Sequence, residues 1–141
     1  MIYALFLLLA SLSPTRIAAA DVPRVLDDVL DATHAEDATA ADAHLLAVWM
    51  ALESGGRADA LGDSGRSCGA TQLGEVWRAG YSCAAVRADR VLAARLWLRA
   101  LSSLRSSCGS TARALGALSA GQCGAVPRLV AGRCAMAGVA C

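Results

Sequence analysis

Residues 45–56 read LLAVWMALESGG, and this stretch decides the fold class. Its large apolar side chains recur at helical spacing and leave little polar surface, so we predict a largely buried helix from Ala41 to about Leu52. The side chains are Leu45, Leu46, Val48, Trp49 and Leu52. Ser54-Gly55-Gly56 marks the end of this helix, because glycine readily adopts the left-handed conformation that closes helices. A buried helix requires other elements packed around it.

Five further segments show apolar residues at helical spacing and are predicted to be helices: residues 22–32, 70–78, 84–106, 111–118 and 126–133. Between Gly55 and Gly69, five glycines with serines and aspartates predict a loop. No alternating strand pattern of useful length is present. The sequence therefore predicts an all-α protein, a compact domain of about six helices.

The first twenty residues have the features of a removable leader. An apolar run from Ile2 to Leu12 is followed by Ser13-Pro14-Thr15 and Ala18-Ala19-Ala20, which fits a secretory signal peptide cleaved before Asp21. The run is shorter than the roughly 20 apolar residues that span a bilayer. We expect residues 1–20 to be cleaved, with an uncleaved anchor as the alternative. Residues 21–141 then form one domain without stable membrane insertion.

The cysteines indicate an oxidising compartment. All six lie in the second half of the chain: Cys68, Cys83, Cys108, Cys123, Cys134 and Cys141. An even number behind a leader predicts three disulfides, for which fifteen connectivities are possible. A Cys108–Cys123 bridge would tie the longest predicted helix to the segment around Leu118. No two cysteines are closer than seven positions, and both histidines lie far upstream, so neither a metal site nor a cofactor is expected.

The charge of the chain argues against a nucleic acid partner. Of its 13 basic residues, Arg16 lies in the leader, so twelve arginines remain beside twelve acidic residues and the formal charge is zero. No basic stripe with interleaved aromatic residues is present. We expect a monomer that is periplasmic or secreted.

Glu53 is the candidate catalytic acid. It lies at the end of the apolar helix and opens onto the glycine-rich loop. A carboxyl group beside apolar residues is poorly solvated when ionised, which raises its pKa. An acid with a pKa of about 6 can protonate a glycosidic oxygen at neutral pH. An exposed helix-terminal glutamate without a catalytic role is the alternative.

The segment Leu45 to Leu73 resembles the catalytic segment of lysozyme-like lytic transglycosylases. In that family an apolar helix ends in Glu-Ser, and a loop leads to Gly-x-x-Gln and an apolar residue. Here the matching residues are Glu53-Ser54 and Gly69-Ala70-Thr71-Gln72-Leu73. The resemblance implies a lysozyme-like helical domain in which Glu53 is the general acid and then the base. It also implies that Ser54 positions the substrate, that Gln72 lines the sugar cleft, and that Gly69 lets the backbone approach the saccharide.

A second segment, Leu115 to Ala125, is similar to the Ala-Tyr-Asn-x-Gly segment of the same family. Ala117 and Gly121 match, whereas Leu118 and Ser119 replace the tyrosine and the asparagine. The side chain of Leu118 cannot form a hydrogen bond, and Ser119 can do so only over a shorter reach than asparagine. Two aromatic residues after Gln72 are further candidates: Trp77 for stacking on a sugar, with core packing as the alternative, and Tyr81 as a substitute for the missing phenol.

The segment Asp63 to Leu73 also resembles invertebrate-type lysozymes, which carry Ser-Cys-Gly-x-x-Gln and a cysteine after the next helix. Ser67-Cys68-Gly69 and Cys83 match this arrangement. That resemblance implies a Cys68–Cys83 disulfide and Asp63 as a second catalytic carboxylate. A turn residue in Gly62-Asp63-Ser64-Gly65 is the alternative for Asp63. A hydrolase generally uses two carboxylates, whereas a lytic transglycosylase needs one, because the substrate's own C6 hydroxyl attacks.

The function implied by these resemblances is cleavage of the MurNAc-β-1,4-GlcNAc bond in peptidoglycan glycan strands. Two alternatives stay open. The first, motivated by Leu118 and Ser119, is a protein of the same fold that binds peptidoglycan but is catalytically impaired. The second is an unrelated secreted helical protein with disulfides, which predicts no saccharide binding.

Overall fold

A computed structural model describes residues 2–12, 15–124 and 127–141. Within these ranges the chain forms seven α-helices and one small sheet, which confirms the all-α class. The helices are α1 (Ile2–Leu12), α2 (Val22–Ala35), α3 (Ala40–Ser54), α4 (Cys83–Ala88), α5 (Arg90–Cys108), α6 (Thr111–Ala120) and α7 (Pro127–Ala137), and the strands are β1 (Leu61–Gly62) and β2 (Ser67–Cys68). Six of these helices follow residue 20, in agreement with the predicted number. Val126, the predicted start of the last helix, lies outside the described residues.

Helix α3 is the centre of the fold. Helices α1, α2, α5 and α7 contact it, which explains why apolar residues surround most of its circumference. Trp49 is 4% exposed, and Leu46 and Met50 are fully buried. Thr39 and Asp42 form a reciprocal capping box at the start of α3. Gly55 ends the helix in the left-handed conformation, with φ +66°.

Helix α1 packs against α2 and α3. Leu5 and Leu9 are fully buried in the same core as Ile17, and other apolar side chains of α1, among them Phe6, are exposed. A Cβ on Gly55 would lie 2.6 Å from the carbonyl oxygen of Arg16, so the backbone of Arg16 lies against the end of α3. None of the described helices is long and apolar enough to cross a membrane. Cleavage before Asp21 stays a prediction.

The single helix predicted for residues 84–106 consists of two helices. Helix α4 ends at Ala88, and Asp89 adopts an extended conformation with φ −137° and ψ 107°. The backbone N–H of Leu92 donates to Asp89 Oδ1 at 2.9 Å, which caps α5. Aspartate favours helix starts for this reason, and here its local preference outweighs the apolar periodicity on both sides.

The helix predicted for residues 70–78 does not form. Cys68 and Leu73 are instead joined as an antiparallel bridge, next to the β1–β2 pair, and Gln72 has φ +50°. A single 3-10 turn, Glu75–Trp77, follows. The backbone groups of this segment bond to Cys68 and, through Gly69, to Ala60, so the apolar residues Ala70 and Leu73 reach the core without a helix.

Three disulfides use all six cysteines: Cys68–Cys83, Cys108–Cys123 and Cys134–Cys141. The first is the pairing that the resemblance to invertebrate-type lysozymes implies. The second ties the end of α5 to the segment that follows α6. Disulfides of this kind are typical of proteins that fold in an oxidising compartment.

Candidate active site

A cavity of about 240 Å³ opens beside the end of α3, and we call it the acid cavity. Five of the residues predicted to be catalytic or to bind substrate line it: Glu53, Asp63, Gln72, Trp77 and Ser119. They come from α3, the loop with the small sheet, the 3-10 turn and α6. The fold therefore brings together side chains that are far apart in the chain.

Glu53 is bound to Arg133 of α7. Arg133 Nη2 donates to Glu53 Oε1 at 2.5 Å, and the two side chains are 9% and 27% exposed, respectively. The guanidinium group also lies over the ring of Trp49, with 3.8 Å between its central carbon and the ring centroid, a cation–π contact. An arginine within hydrogen-bonding distance fixes the orientation of the Glu53 carboxyl group.

The sequence analysis did not identify Arg133. It lies eighty positions after Glu53, and no motif links the two residues. A hint was nevertheless present, because Val130, Arg133, Cys134 and Ala137 follow one another at helical spacing and all four are buried. An arginine on the apolar face of a helix requires an acceptor or an aromatic ring, and here it has both.

Trp49 connects the acid cavity to the core. Its Nε1 donates to the carbonyl oxygen of Thr71 at 3.1 Å, and its ring centroid lies 5.3 Å from that of Trp97. Trp49 also lines the cavity. The residue thus packs in the core, as expected from its helical spacing, and at the same time positions the segment that carries Gln72.

Ser54 does not line the acid cavity. Its hydroxyl donates to the carbonyl oxygen of Ala70 at 2.7 Å. This bond joins the end of α3 to the segment before Gln72. In this geometry Ser54 bonds to the protein backbone, and its role in positioning the substrate stays a prediction.

Gly69 and Tyr81 also do not line the acid cavity. Gly69 is buried, and a Cβ on it would lie 2.8 Å from Val86 Cγ1. This position requires glycine because a core side chain packs against it, a different reason from the predicted approach of a saccharide. Tyr81 is 46% exposed, and its side chain is not part of the cavity lining.

The side chain of Gln72 folds back over β1. Its Nε2 donates to the carbonyl oxygen of Gly69 at 2.9 Å. Its Oε1 lies 2.2 Å from the place that a Cβ on Gly62 would take. The absence of a side chain at Gly62 thus leaves room for the Gln72 amide, and the hydrogen bond to Gly69 holds its orientation.

The position of Asp63 is compatible with both interpretations of this residue, a second catalytic carboxylate and a turn residue. It begins the 3-10 turn Asp63–Gly65, with φ +48°, and it lines the acid cavity. Ser67 Oγ donates to Asp63 Oδ2 at 2.5 Å. Both carboxylates at the cavity thus have a partner on the protein, Arg133 for Glu53 and Ser67 for Asp63.

Helix α6 carries Leu118 and Ser119, the two positions at which the chain departs from the Ala-Tyr-Asn-x-Gly segment that it was compared with. Leu118 is partly buried and gives the cavity an apolar wall, and Ser119 is exposed beside it. Of the described residues, no group of three or more His, Cys, Asp or Glu side chains is placed to hold a metal ion.

No protein-family model, curated protein or solved structure matches this chain. The likeness to lytic transglycosylases is therefore one of short motifs, carried by Glu53-Ser54 and by Gly69 to Leu73. What supports a function is the arrangement of side chains around Glu53.

Proposed function

We propose that the acid cavity binds a peptidoglycan glycan strand and that Glu53 cleaves its MurNAc-β-1,4-GlcNAc bond, as in a lytic transglycosylase or muramidase. The observation that carries the proposal is the meeting of Glu53, Gln72 and Ser119 in one cavity. A carboxyl group that donates a proton, an amide that bonds sugar hydroxyls and an aromatic ring, Trp77, are the groups that a glycosidase needs.

In this reaction protonated Glu53 gives its proton to the glycosidic oxygen while the bond between that oxygen and C1 of MurNAc breaks. The Glu53 carboxylate then accepts a proton from the attacking nucleophile. If the nucleophile is the C6 hydroxyl of MurNAc, a 1,6-anhydro sugar forms; if it is water, the bond is hydrolysed. Arg133 Nη2 donates to Oε1, one of the two carboxyl oxygens of Glu53, and so holds the side chain in place beside the cavity.

Asp63 decides between the two products. A hydrolase needs a second group to act as nucleophile or to activate water, and Asp63 lines the same cavity as Glu53. For a hydrolase, Asp63→Asn abolishes cleavage; for a lytic transglycosylase, the same variant still forms anhydro-muropeptides. Mass spectrometry of the soluble products separates the two mechanisms.

The proposal is tested by the loss of turbidity of purified sacculi. Glu53→Gln removes the proton donor with little change in size, and we expect it to abolish cleavage. Glu75→Gln is the matched control, since Glu75 is exposed on the 3-10 turn. Equal activity of wild type and Glu53→Gln overturns the assignment of Glu53.

The second candidate is a peptidoglycan-binding protein of the same fold without turnover. The observation that favours it is Leu118, an apolar side chain in the cavity wall where the family has a phenol. This candidate predicts that the chain sediments with sacculi and releases no product. Cleavage that depends on Glu53 eliminates it. We further propose a periplasmic or secreted location, which agrees with three disulfides and a wall polymer as the partner.

A further inference from the structure

A second cavity adjoins the acid cavity across Trp77. It has a volume of about 270 Å³ and lies between α5 and the 3-10 turn Glu75–Trp77. Its lining includes Val76, Leu96, Ala100 and Arg99. Trp77 lines both cavities. The partly exposed indole is thus a wall shared by the two cavities, and a ligand bound at Glu53 would have to pass this ring to reach the second cavity.

The lining of this second cavity is mostly apolar and includes one cation, Arg99. Val76 is 79% exposed, whereas Leu96 and Ala100 form a buried floor on one face of α5. Arg99 supplies the positive charge, and its side chain is 51% exposed. A fitting ligand therefore has small apolar groups and a carboxylate.

Arg99 keeps hydrogen-bonding capacity for such a ligand. Its Nε donates to Glu36 Oε2 at 2.6 Å, a contact that leaves the two terminal amino groups for another acceptor. Arg95 Nε donates to the other oxygen of Glu36, also at 2.6 Å. Two arginines share one glutamate, so the three side chains together carry a formal charge of plus one.

We infer that the second cavity binds the peptide stem attached to the glycan, with Arg99 bonded to one of its carboxylates. This inference rests on the proposed function, because the glycan must lie in the acid cavity for its stem to reach the second one. The apolar floor suits small side chains such as alanine, and the arginine suits the acidic groups of the stem. The substrate class is thus a peptide-bearing glycan.

The test compares two ligands with the complete chain: the disaccharide GlcNAc-MurNAc carrying a tetrapeptide stem, and the same compound with its stem carboxylates converted to amides. Neither contains the bond that the enzyme is proposed to cleave. We expect the wild type to bind the free-acid ligand about three- to five-fold more tightly, the size of an exposed arginine–carboxylate contact. The Trp77 indole N–H resonance should shift with both ligands.

In Arg99→Gln the preference for the free acid should disappear, while affinity for the amidated ligand stays unchanged. Arg24→Gln, at an exposed arginine of α2, is the control that keeps the preference. A preference that survives Arg99→Gln, or equal binding of both ligands by the wild type, overturns the inference and leaves the proposed function standing. If neither ligand binds and sacculi are not cleaved, the proposed function fails, and this inference fails with it.

Discussion

Arg133 Nη2 lies 2.5 Å from Glu53 Oε1, so helix α7 holds the carboxylate at the end of α3. The guanidinium group is also stacked on Trp49, a residue one helical turn before Glu53. The candidate acid thus depends on a cation from the last helix, and the same cation contributes to the packing of α7 on the core.

This pair predicts an energetic coupling that a double-mutant cycle can measure. Arg133→Gln leaves the Glu53 carboxylate without its cation and removes the contact with Trp49, so we expect the free energy of unfolding to fall by about 2 kcal/mol. In the double variant with Glu53→Gln, the combined loss should be smaller than the sum by about 1 kcal/mol. Urea denaturation measures all three variants.

Arg128→Gln is the control for this cycle, because Arg128 lies on the exposed face of α7. It should change stability by no more than about 0.5 kcal/mol. Strictly additive losses for the two single variants would show that the ion pair contributes no coupling.

Acid should destabilise the protein through Glu36 and Asp42. The hydrogen bond from Arg99 holds the pKa of Glu36 below its ordinary value of 4.5. Burial works to raise the pKa of Asp42, but hydrogen bonds from Arg105 and Thr39 outweigh it and the pKa lies below 3.8.

Because both pKa values are lower in the folded state, the unfolded chain binds these protons more readily. The stabilisation is therefore complete above the ordinary values and is lost as the pH falls through the folded ones. We expect urea midpoints to drop steadily below about pH 4.5. Glu36→Gln should make the drop shallower, and an unchanged pH dependence in this variant would contradict the assignment to Glu36.

Gly62→Ala should disturb glycan binding with little effect on the backbone. Gly62 has φ −124°, which alanine adopts readily, but the new Cβ meets Gln72 Oε1 at 2.2 Å. The amide must move, and we expect the affinity for chitooligosaccharide to fall about three- to ten-fold, the loss of one hydrogen bond. Isothermal titration calorimetry measures it. Gly132→Ala, where a Cβ meets nothing within 4 Å, should bind normally; equal affinities in the two variants would mean that Gln72 does not contact the sugar.

Leu118→Tyr should increase activity on sacculi. Leu118 lines the acid cavity, so a tyrosine there would bring a hydroxyl toward the sugar. The Ala-Tyr-Asn-x-Gly segment of lytic transglycosylases carries a tyrosine at the corresponding position. A hydrogen-bond donor speeds a reaction when it contacts an atom on which charge develops in the transition state. We therefore expect about a tenfold gain in kcat. Leu129→Tyr, on the exposed surface of α7, serves as the comparison. An unchanged rate in Leu118→Tyr would argue that the missing phenol does not limit turnover.

The sequence identified those residues of the candidate site that belong to short local motifs, and it did not identify those that depend on distant partners. Glu53 and Gln72 were identified from motifs a few residues long, and both line the acid cavity. Arg133 was missed because its partner is eighty positions away. Gly69 was assigned to the substrate, yet it faces Val86, since the sequence does not show which core residue packs against a glycine.

The helices show the same division. The buried helix near residues 45–52, with Glu53 at its end, could be predicted without coordinates, because periodicity and glycine capping act over a few residues. Three other features became apparent in the folded chain alone: Asp89 separates α4 from α5, residues 70–73 extend toward Cys68, and Arg133 binds Glu53. Each of these depends on hydrogen bonds and contacts between particular segments, and the packing of the helices determines which segments meet.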